Sequence, residues 1–178
     1  MIKCLSSKLI HENEYMRVYD NLIIQDSKKK IYSTVERPDT VAIIAFNKSQ
    51  KIIFQEILRF PSNTQSWELP MGGIDRDESI VDAACREFKE ETGLMVDKIR
   101  QIGWFCPNPG LSTQKVNILG AKCSVDDNFF LSSKNILGEG ILRHSLFTQS
   151  EIKNLIKCGH ITDGFTLACL AYLPFLVE

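Results

Sequence analysis

The chain has 178 residues, 44% of them hydrophobic and 24% charged, and a formal net charge of −1 at pH 7. That is one ordinary soluble domain in size, long enough to bury a sizeable core. A charge this near neutrality gives no reason to expect nucleic acid or an anionic membrane as partner, and no apolar run approaches the roughly 18 residues of a membrane span.

The opening MIKCLSSKLIHENEY lacks the apolar stretch of a secretory leader. Residues 15–36 then read as strand-rich: YMRVYDNLIIQD carries β-branched and aromatic residues, and SKKK at 27–30 makes a polar turn into IYSTVER. This piece precedes the core and is able to pair with something outside it. Thr40 to Phe46 (TVAIIAF) is a continuous apolar run, as expected of a strand covered on both faces. Lys51 to Leu58 (KIIFQEIL) follows a short polar turn, so the two form a hairpin, ended by Arg59-Phe60-Pro61. Trp67-Glu68-Leu69-Pro70 leads into an acidic stretch, GGIDRDESIVDAACREFKEETGL, at 72–94.

Beyond it, Met95 to Phe105 has strand character broken by Gly103, and CPNPGLST at 106–113 is a Pro/Gly-rich loop. Val116 to Cys123 and Gly140 to Phe147 are two more strands, separated by a polar loop containing Asp126, Asp127 and Glu139. Residues 150–157 and 162–173 are helical, the second amphipathic and able to close over a sheet. The result is an α/β fold with a mixed sheet between helices. Six cysteines without a C-x-x-C pair suit reduced thiols in a cytoplasm better than a disulfide or zinc framework. Cys85, inside the acidic helix, reads as a small core residue.

The acidic stretch carries the chemistry. Its spacing predicts a helix over 78–91, with Ser79 as N-cap and Asp82 three residues on in a capping-box-like arrangement. Ile80, Val81, Ala84 and Phe88 recur at helical spacing toward a core, and Gly93 stands where a left-handed C-cap belongs. Glu87, Glu90 and Glu91 are stacked at i, i+3 and i+4, repelling by a few tenths of a kcal/mol per pair, roughly. The helix dipole also disfavours negative charge in this last turn. Arg86, four residues before Glu90, offsets only part of this. Such a stretch is either a solvated acidic helix end or a cation site. Carboxylate oxygens suit Mg²⁺ or Mn²⁺, which bridge protein acids to substrate phosphates.

Read as G-x5-E-x7-R-E-U-x-E-E-x-G-U, with U apolar, the pattern is met throughout by Gly72, Glu78, Arg86, Glu87, Phe88, Glu90, Glu91, Gly93 and Leu94. It resembles the signature of the Nudix hydrolases, and a chance match over this length is roughly one in a million at average residue usage. The flanks resemble one subgroup. FQEILRFPSNTQSWELPMGGID, FCPNPGLST and GEGILRHSLFTQSEIKNLIKCGHITDGFTLACLAY are similar to the corresponding stretches of ADP-ribose pyrophosphatases.

The resemblance implies an α/β/α sandwich over residues 39–178, with residues 1–38 as a strand-rich dimerisation element of a cytoplasmic homodimer. It implies metal-dependent hydrolysis of the diphosphate of a nucleoside diphosphate derivative, ADP-ribose to AMP and ribose 5-phosphate. A nucleotide sugar of the UDP-glucose or GDP-mannose type is the alternative substrate, and a non-catalytic ADP-ribose-binding regulator the alternative class. A dinucleoside polyphosphate or capped RNA fits less well, because no basic groove is evident.

Roles carry over by position. Glu87, Glu91 and the Met71 backbone carbonyl would hold Mg²⁺ or Mn²⁺, and Glu90 would join them or orient the water. Arg86 would position the carboxylates, and Gly72 would let the backbone turn close to the metals. Glu78 is either a ligand through water or a first-turn acid favoured by the dipole. Arg59 is either a phosphate or ribose contact or a surface strand-end arginine. Glu68 either binds substrate or pairs with an arginine, and Trp67 either stacks on a base or belongs to the core. Glu139 is either the general base or a substrate-loop acid. Gln114-Lys115 stands where relatives place an acid.

Overall fold

The first 39 residues fold as an antiparallel sheet in the computed structural model, which describes residues 2–128 and 140–175. Its strands are β1 (Ile2–Glu12), β2 (Arg17–Gln25) and β3 (Lys28–Glu36), in the order β1-β2-β3. The β2–β3 turn is tighter than the expected SKKK turn. Asp26 and Ser27 take positive φ of 52° and 63°, the pair that a two-residue hairpin matching the strand twist requires, and the lysines already belong to β3. β1 was not foreseen. It is exposed along its whole length and shows no apolar alternation, and it forms because β2 offers an edge to pair with, from Ile2 opposite Gln25 to Glu12 opposite Arg17. The Phe105–Lys115 loop belongs to the same unit. The Val35 N–H donates to the Leu111 carbonyl at 2.8 Å, and the Tyr32 hydroxyl to that of Gly110 at 2.5 Å.

The second unit comprises Thr40–Trp104 and Val116–Glu178. β4 (Thr40–Phe46) and β5 (Ile52–Arg59) form the expected hairpin only at its closed end, where Phe46 faces Ile52. The strands then part. β6 (Thr64–Glu68) takes the freed edge of β5, and β7 (Met71–Gly73) takes that of β4. β8 (Val96–Phe105), β9 (Val116–Cys123) and β10 (Ile141–Phe147) complete a sheet ordered β10-β5-β4-β9-β8. The β4–β9 pair is parallel, Thr40 opposite Val116 through Phe46 opposite Lys122, and so the sheet is mixed.

α1 (Ile80–Thr92) covers one face. Ala83, Ala84 and Phe88 pack on Val41, Ile43 and Ala45 of β4, Ile53 of β5, Leu119 and Ala121 of β9 and Leu146 of β10. Val81 lies off this stripe and is 42% exposed, and Ala83 takes the place expected of it. The Ser79 hydroxyl accepts the Asp82 N–H at 3.1 Å and donates to its carboxylate at 2.6 Å, so the helix starts at Ile80. Gly93, at φ 70°, closes it in the left-handed conformation. The opposite face is also buried through Ala42, Ile44, Phe54 and Ile118. α2 (Gln149–Lys157) packs on β10, and α3 (Gly164–Leu170) on β4. Helices against a sheet buried on both faces make the α/β sandwich expected.

Two local expectations need correcting. α3 is shorter than 162–173. Asp163 caps it, its last N–H bonds tighten to the i−3 type at Ala171 and Tyr172, and Pro174 opposes further α-helix. Gly103 does not break β8. A Cβ there would lie 2.3 Å from the Tyr172 ring, so glycine seats that ring, whose hydroxyl donates to the Trp104 carbonyl at 3.1 Å. Among the described residues no helix is long and apolar enough to cross a membrane.

Candidate active site

The parting of β4 and β5 gives β7 its place on the edge of β4, against α1. Ala84, Glu87, Phe88 and Glu91 fall at i, i+3, i+4 and i+7, so the stripe that buries Phe88 also turns two carboxylates inward. Glu87 is 8% exposed and Glu91 4%. Glu90, by contrast, stands on the outer side and is exposed. The three glutamates therefore do not form one stack: two are buried against the sheet and one meets solvent.

Each inner carboxylate meets the backbone of β7 in its own way. The Met71 N–H donates to Glu91 Oε2 at 3.0 Å, whereas the group expected to serve a metal is the Met71 carbonyl. At Gly72 the fit is steric. A Cβ there would lie 2.0 Å from the Glu87 carboxyl carbon and 2.1 Å from Oε2. Gly72 is thus required by the close approach of Glu87, and its φ is not positive, so the need is for space beside the carboxylate and not for a left-handed backbone. Glu91 Oε2 has a second donor, Nε2 of Gln55 on β5, at 2.9 Å. One carboxylate oxygen therefore ties β5 to β7 across the gap between them.

Arg86 gathers most of the remaining charge. Its Nε and Nη2 grip Glu78 at 2.9 and 2.8 Å, Nη1 reaches Glu87 at 2.8 Å and Glu90 at 3.3 Å, and Nη2 also donates to the Gly73 carbonyl at 2.9 Å. Glu78 precedes the cap and so lies outside the first turn, where one of its two readings had put it. Its carboxylate also accepts the Asp75 N–H at 3.1 Å. These contacts, Arg86 foremost, hold Glu78 below the usual carboxylate range. The same acids, led by Glu78, push the Arg86 guanidinium up, so it stays charged.

Arg59 and Glu68, each left with two readings, pair with each other. Arg59 Nη2 donates to Glu68 Oε2 at 2.6 Å, and Nε lies 3.2 Å from both oxygens. Glu68 is 1% exposed, and burial raises its carboxyl against the opposing pull of Arg59. Arg59 keeps 43% of its side chain exposed, and its guanidinium is held charged by Glu68 first, with Asp163 and Glu91 adding to the effect. Trp67 belongs to the core. It is buried, edge-on to Phe147 at 4.9 Å, and the Arg143 guanidinium lies 5.2 Å over its ring. Glu139 lies outside the described residues.

The donor set suits a hard divalent cation: carboxylates one helical turn apart, set against the half-buried backbone of β7. Among the described residues no three His, Cys, Asp or Glu side chains gather closely enough to hold a metal alone. A bound Mg²⁺ would therefore need backbone and substrate oxygens as well. Gln55 was missed from the sequence. Its signal was there, as one amide at the inward position between Ile53 and Ile57 in KIIFQEIL.

A family model described as the NUDIX domain matches residues 36–131, just over half of the chain. Among curated relatives, the methanol dehydrogenase activator of Bacillus methanolicus is 32% identical over 157 residues, covering 84% of this chain and 77% of that protein. The RNA pyrophosphohydrolase of Bartonella bacilliformis is 35% identical over 82 residues, and the match spans only 42% of this chain and 48% of that one. A crystal structure of an ADP compounds hydrolase superposes with a TM-score of 0.80 over 99% of this chain and 94% of its own, at 16% identity. At that identity the likeness is one of fold.

Proposed function

The chain belongs to the NUDIX domain family, and on that premise we propose that it is a Mg²⁺- or Mn²⁺-dependent pyrophosphohydrolase of nucleoside diphosphate derivatives, with ADP-ribose, cut to AMP and ribose 5-phosphate, as its substrate. The observation that carries this reading is the acid pair Glu87 and Glu91, buried beside the Met71–Gly73 backbone, with one guanidinium serving Glu78, Glu87 and Glu90. Such a site is short of positive charge, and an anionic diphosphate would bring more negative charge to it. A divalent ion held by Glu87, Glu91 and the Met71 carbonyl would offset most of that negative charge, present a cation to the diphosphate and polarise the phosphorus. The chain's own groups do the rest. Arg86 fixes Glu87 and Glu90, Glu90 faces solvent where it can orient water, and the exposed part of Arg59 offers its fork to a phosphate or ribose. Glu139 is the proposed general base.

The ADP-ribose reading draws support from the flanking stretches around the motif and from the shared fold of a hydrolase of ADP compounds. The relatives named for RNA pyrophosphohydrolysis match over less than half of their length. We also propose a homodimer built through the N-terminal sheet. β1 is an exposed edge strand bearing Ile2, Leu5, Leu9 and Ile10, the kind of edge that a second copy covers. Light scattering at micromolar concentration should give twice the chain mass, and a monomer mass would reject the dimer.

The functional test is a substrate panel with Mg²⁺: ADP-ribose, UDP-glucose, GDP-mannose and a dinucleoside polyphosphate, read as phosphate freed from the monophosphate products by a coupled phosphatase, and 5′-triphosphorylated RNA, read as released pyrophosphate. Turnover of ADP-ribose at least tenfold above the others is expected. Preference for another member replaces the substrate and keeps the chemistry. Glu91→Gln should lose more than about a hundredfold in turnover, beyond the 10–100-fold typical of groups that only orient a metal ligand. Wild-type activity in that variant would remove Glu91 from the metal set.

A further inference from the structure

Gln55 is fully buried, at 0% exposure, in a strand whose other inward residues are apolar. Its amide is only half used. Nε2 donates to Glu91 at 2.9 Å, while Oε1 is buried with no hydrogen-bond partner among the described residues. A buried carbonyl oxygen without a donor is destabilising, and an isoleucine like its neighbours Ile53 and Ile57 would avoid that cost. The orientation has a physical reason. Turning the amide over would set its oxygen against the carboxylate, so Glu91 decides which end faces it. The unfavourable half of the side chain is retained for the sake of the other half.

That other half acts where the sheet is weakest. β5 and β4 have parted at this level, and Gln55 stands opposite Glu68 on β6, while Met71 lies on β7 against β4. Nε2 and the Met71 N–H come from different strands and meet on the same oxygen, Oε2. Two neutral donors fix the rotation of the carboxylate without bringing a positive charge to it. A lysine or arginine at position 55 would hold Glu91 as firmly but would repel a cation.

We propose that Gln55 is a positioning residue for the metal site: its side-chain amide holds Glu91 in the orientation that binds the divalent ion. This rests on the proposed reading of Glu91 as a metal ligand. The effect belongs to metal affinity and reaches turnover only through metal occupancy.

The experiment is a Mn²⁺ titration of the full chain without substrate, followed by electron paramagnetic resonance of the free ion, for wild type, Gln55→Met, Gln55→Asn, Glu91→Gln and the double variant Gln55→Met/Glu91→Gln. Methionine keeps the length and volume of glutamine and removes the donor. Asparagine keeps the amide and withdraws it by one methylene. Each single Gln55 variant should bind Mn²⁺ roughly 10–100-fold more weakly, the usual range for a group that orients a ligand. Its kcat at saturating Mn²⁺ should approach wild type, with the loss appearing as a raised activation constant. In the Glu91→Gln background the Gln55 change should add nothing. If Glu91→Gln loses affinity but Gln55→Met binds within twofold of wild type, the inference fails and the metal reading stands. If Glu91→Gln itself binds as wild type, the metal reading fails and takes this inference with it. Should Gln55→Met not fold, Gln55→Asn decides alone, and wild-type affinity there overturns the proposal.

Discussion

Two arginines serve the acids around the end of α1, and they do so on different terms. Arg59 meets Glu68 one to one, in a pair whose acid is 1% exposed and whose guanidinium reaches solvent. Arg86 meets Glu78, Glu87 and Glu90 together. The first region is neutral and could stand as it is in any folded protein. The second is short of positive charge by construction, and Glu91 beside it is held at Oε2 by neutral donors. The lesson is that an arginine among acids marks a site by the mismatch it leaves. Pairing alone does not, since the Arg59–Glu68 contact at 2.6 Å is shorter than any made by Arg86.

The comparison breaks most visibly at Arg86. Arg86→Met should lower stability by about 2–3 kcal/mol in urea unfolding, below the roughly 3–5 of a fully buried pair because 28% of the side chain is exposed. Activity should fall with it, since Glu87 loses its anchor. Raising Mg²⁺ should restore part of the stability, because the ion can stand in for the missing charge. If Mg²⁺ stabilised this variant no more than wild type, the mismatch would not be what binds metal. Gly72→Ala probes the same region without touching a charge. The added Cβ can be accommodated only by moving the end of the Glu87 side chain, so stability should change by less than about 1 kcal/mol while turnover falls at least tenfold. Unchanged turnover would mean that the position of Glu87 is immaterial.

Arg59→Met tests the neutral pair. It leaves a buried acceptor without its charged donor, which costs about 1–2 kcal/mol, towards the low end because Arg59 is 43% exposed. Adding Glu68→Gln should recover most of that. No recovery would show that Arg59 stabilises through something other than Glu68. The smallest effects are in pH dependence, and their signs oppose. Burial raises the Glu68 carboxyl above its ordinary 4.5, so its contribution is complete below that pH and is lost as pH rises through the folded value. Arg86 lowers Glu78, whose contribution is present above 4.5 and is lost as pH falls through its folded value. Relative to wild type, Glu68→Gln should therefore gain stability as pH rises through the weakly acidic range. Glu78→Gln should gain as pH falls below 4.5. Parallel pH profiles for the two variants would erase the distinction.

How much of this was legible in the sequence depends on how local its cause is. α1 was readable because its period, its Ser79 cap and its Gly93 stop are neighbours in the chain. Glu90 was grouped with Glu87 and Glu91 by spacing alone, and only the stripe that buries Phe88 separates them. β7 has three residues, two of them glycine, and no strand propensity. It pairs because β5 leaves β4, which no local pattern announces. The same holds for β1, which takes its shape from β2. Arg59 and Glu68 were each ambiguous because the partner of each was the other, nine positions away on the next strand.

The parallel pairing of β4 with β9 has a consequence for the order of folding. The chain from Phe46 to Val116, including both supports of Glu91 and the whole acidic helix, is a loop that closes only when those two strands meet. Closing such a loop costs entropy before any contact repays it, which slows the search for the native topology. On a ribosome releasing the chain from its N-terminus, α1 can wind as soon as it emerges. The partners of its acids, Gln55 and Met71, are already made by then, but the sheet that carries them closes on β9 only after residues 116–123 have followed. Completion of the sheet beneath the acidic helix is therefore a late event in the life of each new molecule, set by when its ninth strand arrives.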